Sequence, residues 1–479
     1  MSPLLHRSVV RFLFIALVSV LGLSACSLDI PVENELTDPK AISSVQTAYE
    51  ALASAYTSYP KMELELSLLS DELVPTYRAS QNPQLAQLYA YTDYALQSLA
   101  KDLWGSYYET VKDVNAVLVR LPDLRSHLSG VDQLQLDYLA GEAKALKALS
   151  YLQLLQLFAT PYTDAAHPAG IVLKDRVERE ELPRSSKSET VKAIERLLQE
   201  ALTALEVKTR PHYGAAPGFI NAATVRTLLA RLYLYTGEWA KVEVITRSLV
   251  RQPLSPAMIP ATPQAWTQGA PSVALFATAV TESYYNAIYA PVRGLGYATY
   301  QLPRSRHFAE TDLRHRSYAL DSTLQVDAMT TLPLQVVGKY PALIFSGGLP
   351  AFTCVVRTTE PLFLRAEALA RMGQDKAARD LINGYLRLVG ADELPATLTD
   401  ATLVDAIIEE KAREFAGEGL RFFDLKRLGL PIVHYTPNEE RVALTLPAES
   451  YRRTLPIPAT ERVNRSIGAQ NPGWPELLH

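Results

Sequence analysis

Between Val45 and Phe415, apolar residues keep returning at three- and four-residue spacing, the period of one face of an α-helix. No comparable set of segments alternates as half-buried strands would. The spacing predicts helices over Val45 to Tyr59, Leu99 to Leu121, Leu134 to Phe158, Ser188 to Leu205, Ala222 to Tyr235, Trp239 to Val250, Pro361 to Met372, Lys376 to Val389 and Leu403 to Phe415. A chain with so many one-sided helices must bury them against one another, so the class is mainly α. Two segments read as copies of one unit: Leu229-Ala230-Arg231-Leu232-Tyr233 with Gly237-Glu238-Trp239, and Leu364-Arg365-Ala366-Glu367-Ala368 with Gly373-Gln374-Asp375. Each predicts a helix, a Gly turn and a second helix, with Ala admitting close packing and Gly ending the first helix in the left-handed region. Stacked, such hairpins make a tetratricopeptide-like, α-α superhelical scaffold.

The stretch Pro253 to Phe352 breaks the pattern. It is rich in Pro, Gly, Thr and Tyr, and it predicts a long loop-rich insertion, the kind of segment that carries function in a compact domain. It holds Tyr284, Tyr285, Tyr289, Tyr297 and Tyr300, and Trp266, the one Trp of four outside a helical or motif context. A shorter irregular stretch, Val74 to Tyr94, collects Tyr77, Arg78, Tyr89, Tyr91 and Tyr94. Aromatic faces stack on the apolar C–H faces of sugars and also line peptide grooves, so these groups are candidate recognition residues.

At the N-terminus, His6, Arg7 and Arg11 precede the apolar run Phe12 to Ala25, which stops at Leu23-Ser24-Ala25-Cys26. As a helix that run spans about 21 Å, short of a hydrocarbon core of about 30 Å, so it reads as an export signal. Small residues directly before Cys match the bacterial lipobox, which makes Cys26 the expected lipid-attachment site and first mature residue. Residues 1–25 are then a signal peptide, 26–40 a polar tether with Pro31 and Pro39, and 41–479 one domain carrying the insertion at about 253–352. Cys354 is the only other cysteine; it lies in an apolar stretch and is expected as a small buried hydrophobe.

Chemistry-bearing motifs are scarce. No HExxH, GxSxG or GxxxxGK[ST] occurs, and the spacing of His307, Glu310, Asp312 and His315 fits no standard zinc site, so neither metal, cofactor nor catalytic residue is predicted. Glu409 with Arg413, and Arg421 with Asp424, have the spacing of helix ion pairs rather than of facing acid and base. A formal net charge of -4 lacks the basic field that phosphate backbones require, which excludes nucleic acid.

Several stretches together resemble the SusD/RagB family of nutrient-binding lipoproteins from Bacteroidetes. They are Cys26-Ser27-Leu28-Asp29; Trp104 with Tyr107, Val111 and Asn115; Glu142-Ala143-Lys144-Ala145-Leu146 running to Phe158 and Pro161; Pro183-Arg184-Ser185; and Ala230 to Tyr235. The C-terminal marks are more specific: Glu410 through Arg427, then Leu455-Pro456-Ile457-Pro458, then Gln470-Asn471-Pro472-Gly473-Trp474. The resemblance implies a lipid-anchored protein of the outer membrane, facing outward. It would capture an oligosaccharide or oligopeptide and pass it to a SusC-like TonB-dependent transporter, with no bond made or broken. By position, Asp71 and Arg78 resemble the polar part of the family's ligand site and the Tyr284 to Tyr300 group its aromatic part; Tyr89, Tyr91 and Trp266 are candidates from their own surroundings. Two other readings are an assembly scaffold built on the repeats and a surface hydrolase.

Overall fold

The computed structural model describes residues 42–77, 79, 82–206, 218–250, 254–260, 266, 273–280, 300–325, 331–339 and 351–476. Its helices are α1 (Val45–Ser58), α2 (Glu63–Leu68), α3 (Pro83–Tyr89), α4 (Asp93–Ser126), α5 (Val131–Phe158), α6 (Lys187–Leu205), α7 (Ala222–Thr236), α8 (Trp239–Thr246), α9 (Glu360–Arg371), α10 (Asp375–Val389), α11 (Asp400–Glu414) and α12 (Leu420–Leu428). Each helix from α4 to α10 packs on the next, α1 lies against α4, and α11 against α9. The class is mainly α, as the periodicity predicts.

The two predicted hairpins are α7–α8 and α9–α10, and they pack directly on each other through α8 and α9. Gly237 and Gly373 sit at φ +82° and +71°, a conformation that costs a residue with a Cβ roughly 1–2 kcal/mol. Between the hairpins, Arg231 of α7 forks onto Glu360 of α9, with Nε–Oε1 at 2.5 Å and Nη2–Oε2 at 2.7 Å. Helix starts differ from the periodic reading where caps decide them. Ser186 accepts from the Glu189 amide while the Glu189 carboxylate accepts from the Ser186 amide, so α6 begins at Lys187.

Other segments depart further. The periodic reading stops α4 at Leu121, yet the helix runs on through Pro122 to Ser126. Buried Leu124 and the paired bonds from Arg125 to Asp137 of α5, at 2.7 and 3.0 Å, hold that last turn. Short α2 and α3 arise where no helix is predicted, and α8 ends at Thr246 rather than Val250.

The expected long loops are also partly sheet. Strands β1 (Val74–Pro75), β2 (Ala274–Val280), β3 (Tyr300–Gln301), β4 (Ala319–Gln325), β5 (Thr331–Val337), β6 (Ala351–Arg357), β7 (Ile432–Tyr435) and β8 (Val442–Leu446) form antiparallel pairs β1–β3, β2–β6, β4–β5 and β7–β8. Strands of two to seven residues, some broken by register shifts, are too short for alternation to stand out in sequence.

A buried ionic cluster ties this region to the end of α11. Arg314 meets Asp312 at 2.8 Å and Glu410 at 2.6 Å; Arg357 meets Glu414 at 3.0 Å; Lys339 meets Glu418 at 2.6 Å. The side chains of Arg314, Arg357, Lys339, Glu414 and Glu418 are no more than 2% exposed. Cys354 is buried in β6, and burial pushes its thiol up to about 12. The predicted pairs Glu409–Arg413 and Arg421–Asp424 are replaced by others: Glu409 meets Arg306 and Arg421, Arg413 meets Glu410, and Asp424 meets Lys411 and Arg427. Arg413 and Arg427 still pair along their own helices, three residues from Glu410 and Asp424, while Glu409, Arg421 and Lys411 reach across to other elements.

Candidate functional site

Where β1 pairs with β3, Val74 stands opposite Gln301 and Pro75 opposite Tyr300. The tip of the β7–β8 hairpin, a 3-10 turn at Pro437–Glu439, closes over this short ladder. Asn438 and Glu439 both take φ +58°, which turns the chain sharply, burying the Asn438 side chain and bringing its carbonyl together with Glu439 and Glu440. The Glu439 carboxylate accepts the backbone N–H of Arg304 at 3.1 Å, and the Arg304 guanidinium donates to the Asn438 carbonyl at 3.2 Å. Tyr77 donates to the Glu440 carboxylate. Tyr77 is 44% exposed and the Arg304 side chain 67% exposed, so this face joins an open aromatic ring to an exposed cation, itself 3.5 Å from Glu439, and two carboxylates.

Beneath it lies an aromatic floor. The Tyr89 ring stacks on His434 at 3.9 Å with planes 9° apart, and Tyr300 and Tyr91 tilt in at 5.8 Å from Tyr89 and 5.6 Å from His434. His434 holds the hairpin to the rest: Nδ1 lies 2.7 Å from the Tyr89 carbonyl and Nε2 2.7 Å from the Ser70 carbonyl. Burial pulls its pKa down, while the two carbonyls and the charge of Asp71 act in the opposite direction. Tyr89 adds a second tie, donating to the Tyr435 carbonyl at 3.3 Å and accepting from its amide at 3.0 Å.

Of the sequence-predicted residues, Asp71, Tyr89, Tyr91 and Tyr300 belong to this floor and the support beside it. Tyr91 and Tyr300 are at most 1% exposed. Asp71 is committed to two guanidiniums, Arg421 Nε at 2.8 Å and Arg306 Nη2 at 3.0 Å. Burial alone would raise its carboxyl, and the two arginines outweigh that and hold it well below the usual carboxylate range. Trp266 is 1% exposed and lies elsewhere, with Arg357 and Lys339 at 4.5 and 5.2 Å from its ring and Tyr318 edge-on at 4.9 Å. These residues occupy the interior because aromatic rings in irregular segments still bury their area wherever a neighbour accepts it. Cys26, Arg78, Tyr284, Tyr285 and Tyr297 lie outside the described residues.

Sequence reasoning placed Tyr77 in a candidate aromatic stretch without separating it from the buried Tyr89 and Tyr91, took Glu439 and Glu440 only as neighbouring carboxylates, and missed Arg304 and Asn438. The one local signal was the Pro437-Asn438 turn dipeptide. Among the described residues no group of His, Cys, Asp and Glu has the arrangement of a metal site, and no helix is long and apolar enough to cross a membrane.

No curated protein matches the chain. Solved structures share its fold: a SusD superfamily protein from Bacteroides vulgatus ATCC 8482 (21% identity, covering 91% of this chain and 100% of that one, TM-score 0.73); a SusD-like carbohydrate binding protein from the same organism (17%, 89% and 98%, 0.72); and a SusD superfamily protein from Bacteroides thetaiotaomicron VPI-5482 (20%, 90% and 100%, 0.72). Family models match on both sides of the loop-rich region. One, described as starch-binding associating with outer membrane, takes in residues 28–234, and the SusD family model takes in residues 346–474. With the motifs, the helical scaffold and both models in agreement, the chain belongs to the SusD family.

Proposed function

We propose that this protein binds an oligosaccharide at the face built by Tyr77, Arg304, Asn438, Glu439 and Glu440, and that it does so without turnover. The observation that carries the reading is the joining of one open aromatic ring to a cation and two carboxylates on a rigid floor. Tyr77 offers a stacking surface for a sugar C–H face, Arg304 donates to hydroxyl oxygens, and Glu439 and Glu440 accept from hydroxyls. The starch-binding description of the matching model and the carbohydrate-binding name of one structural relative favour a glycan over a peptide. Arg78, Tyr284, Tyr285 and Tyr297 are proposed to complete the face.

The lipobox at Cys26 supports an anchor in the outer membrane, with residues 1–25 removed as a signal and 26–40 serving as tether. From there the protein would hand its ligand to a SusC-like TonB-dependent transporter.

Calorimetric titration of the full-length chain in detergent against oligosaccharides and a mixed oligopeptide pool tests the reading. Micromolar affinity for one glycan corresponds to about -8 kcal/mol, and Tyr77→Ala is expected to weaken it about tenfold. Binding by the peptide pool alone would redirect the ligand class. Release of product from a polymer, abolished by Glu439→Gln, would sink the binding-only reading. Cys26→Ser is expected to shift the protein out of the membrane fraction.

A further inference from the structure

A cavity of about 730 Å³ lies apart from the Tyr77 face, and two of the three C-terminal stretches that mark the sequence line it while the third adjoins it. Lys426 comes from the first stretch, Thr454 adjoins the second, and Pro472 and Gly473 come from the third. Arg453 and Tyr451, in the segment that follows β8, complete that side.

The cavity's charges are unbalanced where they are most buried. Lys426 Nζ donates to the carbonyls of Gln156 and Ala159 at 2.7 and 2.9 Å, and Arg453 Nη2 donates to the Leu425 carbonyl at 2.5 Å. Arg453 is 3% exposed, and its Nε and Nη1 have no hydrogen-bond acceptor. Just behind, Lys187 Nζ reaches the Pro161 and Asp164 carbonyls at 2.7 and 2.5 Å. None of these three cations has a carboxylate within ion-pair distance among the described residues. The carboxylates that line the cavity stand toward solvent: Asp164 is committed to His167 at 2.8 Å, and Glu449 is exposed. Buried cations whose hydrogen bonds go to carbonyls and, for Lys187, one hydroxyl, with the carboxylates of Asp164 and Glu449 acting only from a distance, keep an unmet electrostatic demand. Burial, and then the charges of Arg453 and Lys187, pull the Lys426 pKa well down, consistent with that demand.

We propose that this cavity is a second ligand site, specific for an oxyanion held between Lys426 and Arg453, either the carboxylate of an acidic sugar or a free inorganic anion. Its volume suits a sugar-sized molecule. Pro447, Ala448, Pro472 and the Tyr451 ring supply apolar wall for the rest of such a ligand. The site is independent of the Tyr77 face, since the lining residues are disjoint.

The test is titration of the full-length chain with sodium galacturonate, sodium sulfate and neutral galactose at fixed ionic strength. Galacturonate is expected to bind and galactose not to. Competition by sulfate would show that either source of oxyanion is accepted, and its absence that the acidic sugar is required. Arg453→Gln is expected to weaken binding by about tenfold, and Glu449→Gln, at an exposed position, to tighten it a few-fold. Binding of neutral oligosaccharide at the Tyr77 face should be unchanged in both. The proposal is overturned if neither anion binds, if galactose binds as well as galacturonate, or if folded Arg453→Gln keeps wild-type affinity. Should Arg453→Gln fail to fold, an unchanged affinity in Glu449→Gln overturns it.

Discussion

Two groups of buried cations in this protein are compensated in opposite ways. Arg314, Arg357 and Lys339 each meet at least one buried carboxylate, and Tyr318, Tyr385 and Thr359 add hydrogen bonds to Glu414, so charge is matched within the cluster even though Arg357 Nε has no acceptor. Lys426, Lys187 and Arg453 meet carbonyls, and part of the Arg453 guanidinium meets nothing. A closed ionic cluster specifies how chain segments fit together and has little left to offer a ligand. A cluster left open at a cavity wall has an unmet charge to offer.

The largest effect that would break this contrast belongs to the closed cluster. Glu414→Ala leaves Arg314 and Arg357 short of charge in the interior and is expected to cost about 3–5 kcal/mol of stability in a denaturant titration. A loss under 1 kcal/mol would mean that the cluster relaxes as freely as the open one.

A middle effect comes from a buried anion without an ion-pair partner. Glu72 is fully buried, and burial raises its pKa to about 7. A carboxyl raised above its ordinary value holds a proton in the folded chain that the unfolded chain has released. Its contribution to stability is therefore whole below about pH 4.5 and is lost as pH rises through about 7. Glu72→Gln should match the wild type near pH 4.5 and exceed it by about 3 kcal/mol at pH 8. Equal stability at both pH values would place a compensating cation nearer to Glu72 than the structure does.

The smallest effect belongs to the open cluster. Lys426→Met removes three carbonyl contacts but also an uncompensated buried charge, and these oppose one another. The net change is expected to stay within about 1 kcal/mol, while oxyanion binding is lost. A loss comparable to that of Glu414→Ala would show that Lys426 is a structural clamp of the same kind as Arg357.

The long helices were legible because each buries one stripe of a period that only a helix has, and Gly237 and Gly373 announced their turns in the left-handed region. The strands were not, being short and paired with distant partners, as β2 is with β6. In the site, Tyr89 and Tyr300 were legible as members of an aromatic group, but their depth was not. Tyr77 and Tyr91 lie in one stretch of sequence, yet one is 44% exposed and the other not at all.

The sequence by itself determined the helical class, the repeat hairpins, the family resemblance and the lipobox, because each is carried by local period or by residues in a fixed order. Only the tertiary structure decided which charges meet. Glu440 finds Tyr77 at a separation of 363 residues, and Asp71 finds Arg421 at 350. Lys426 has Asp424 two residues away, yet Asp424 pairs with Lys411 and Arg427 while Lys426 turns to the end of α5. Charge pairing depends on distance and burial in space, and residue order says nothing of either until the helices have packed.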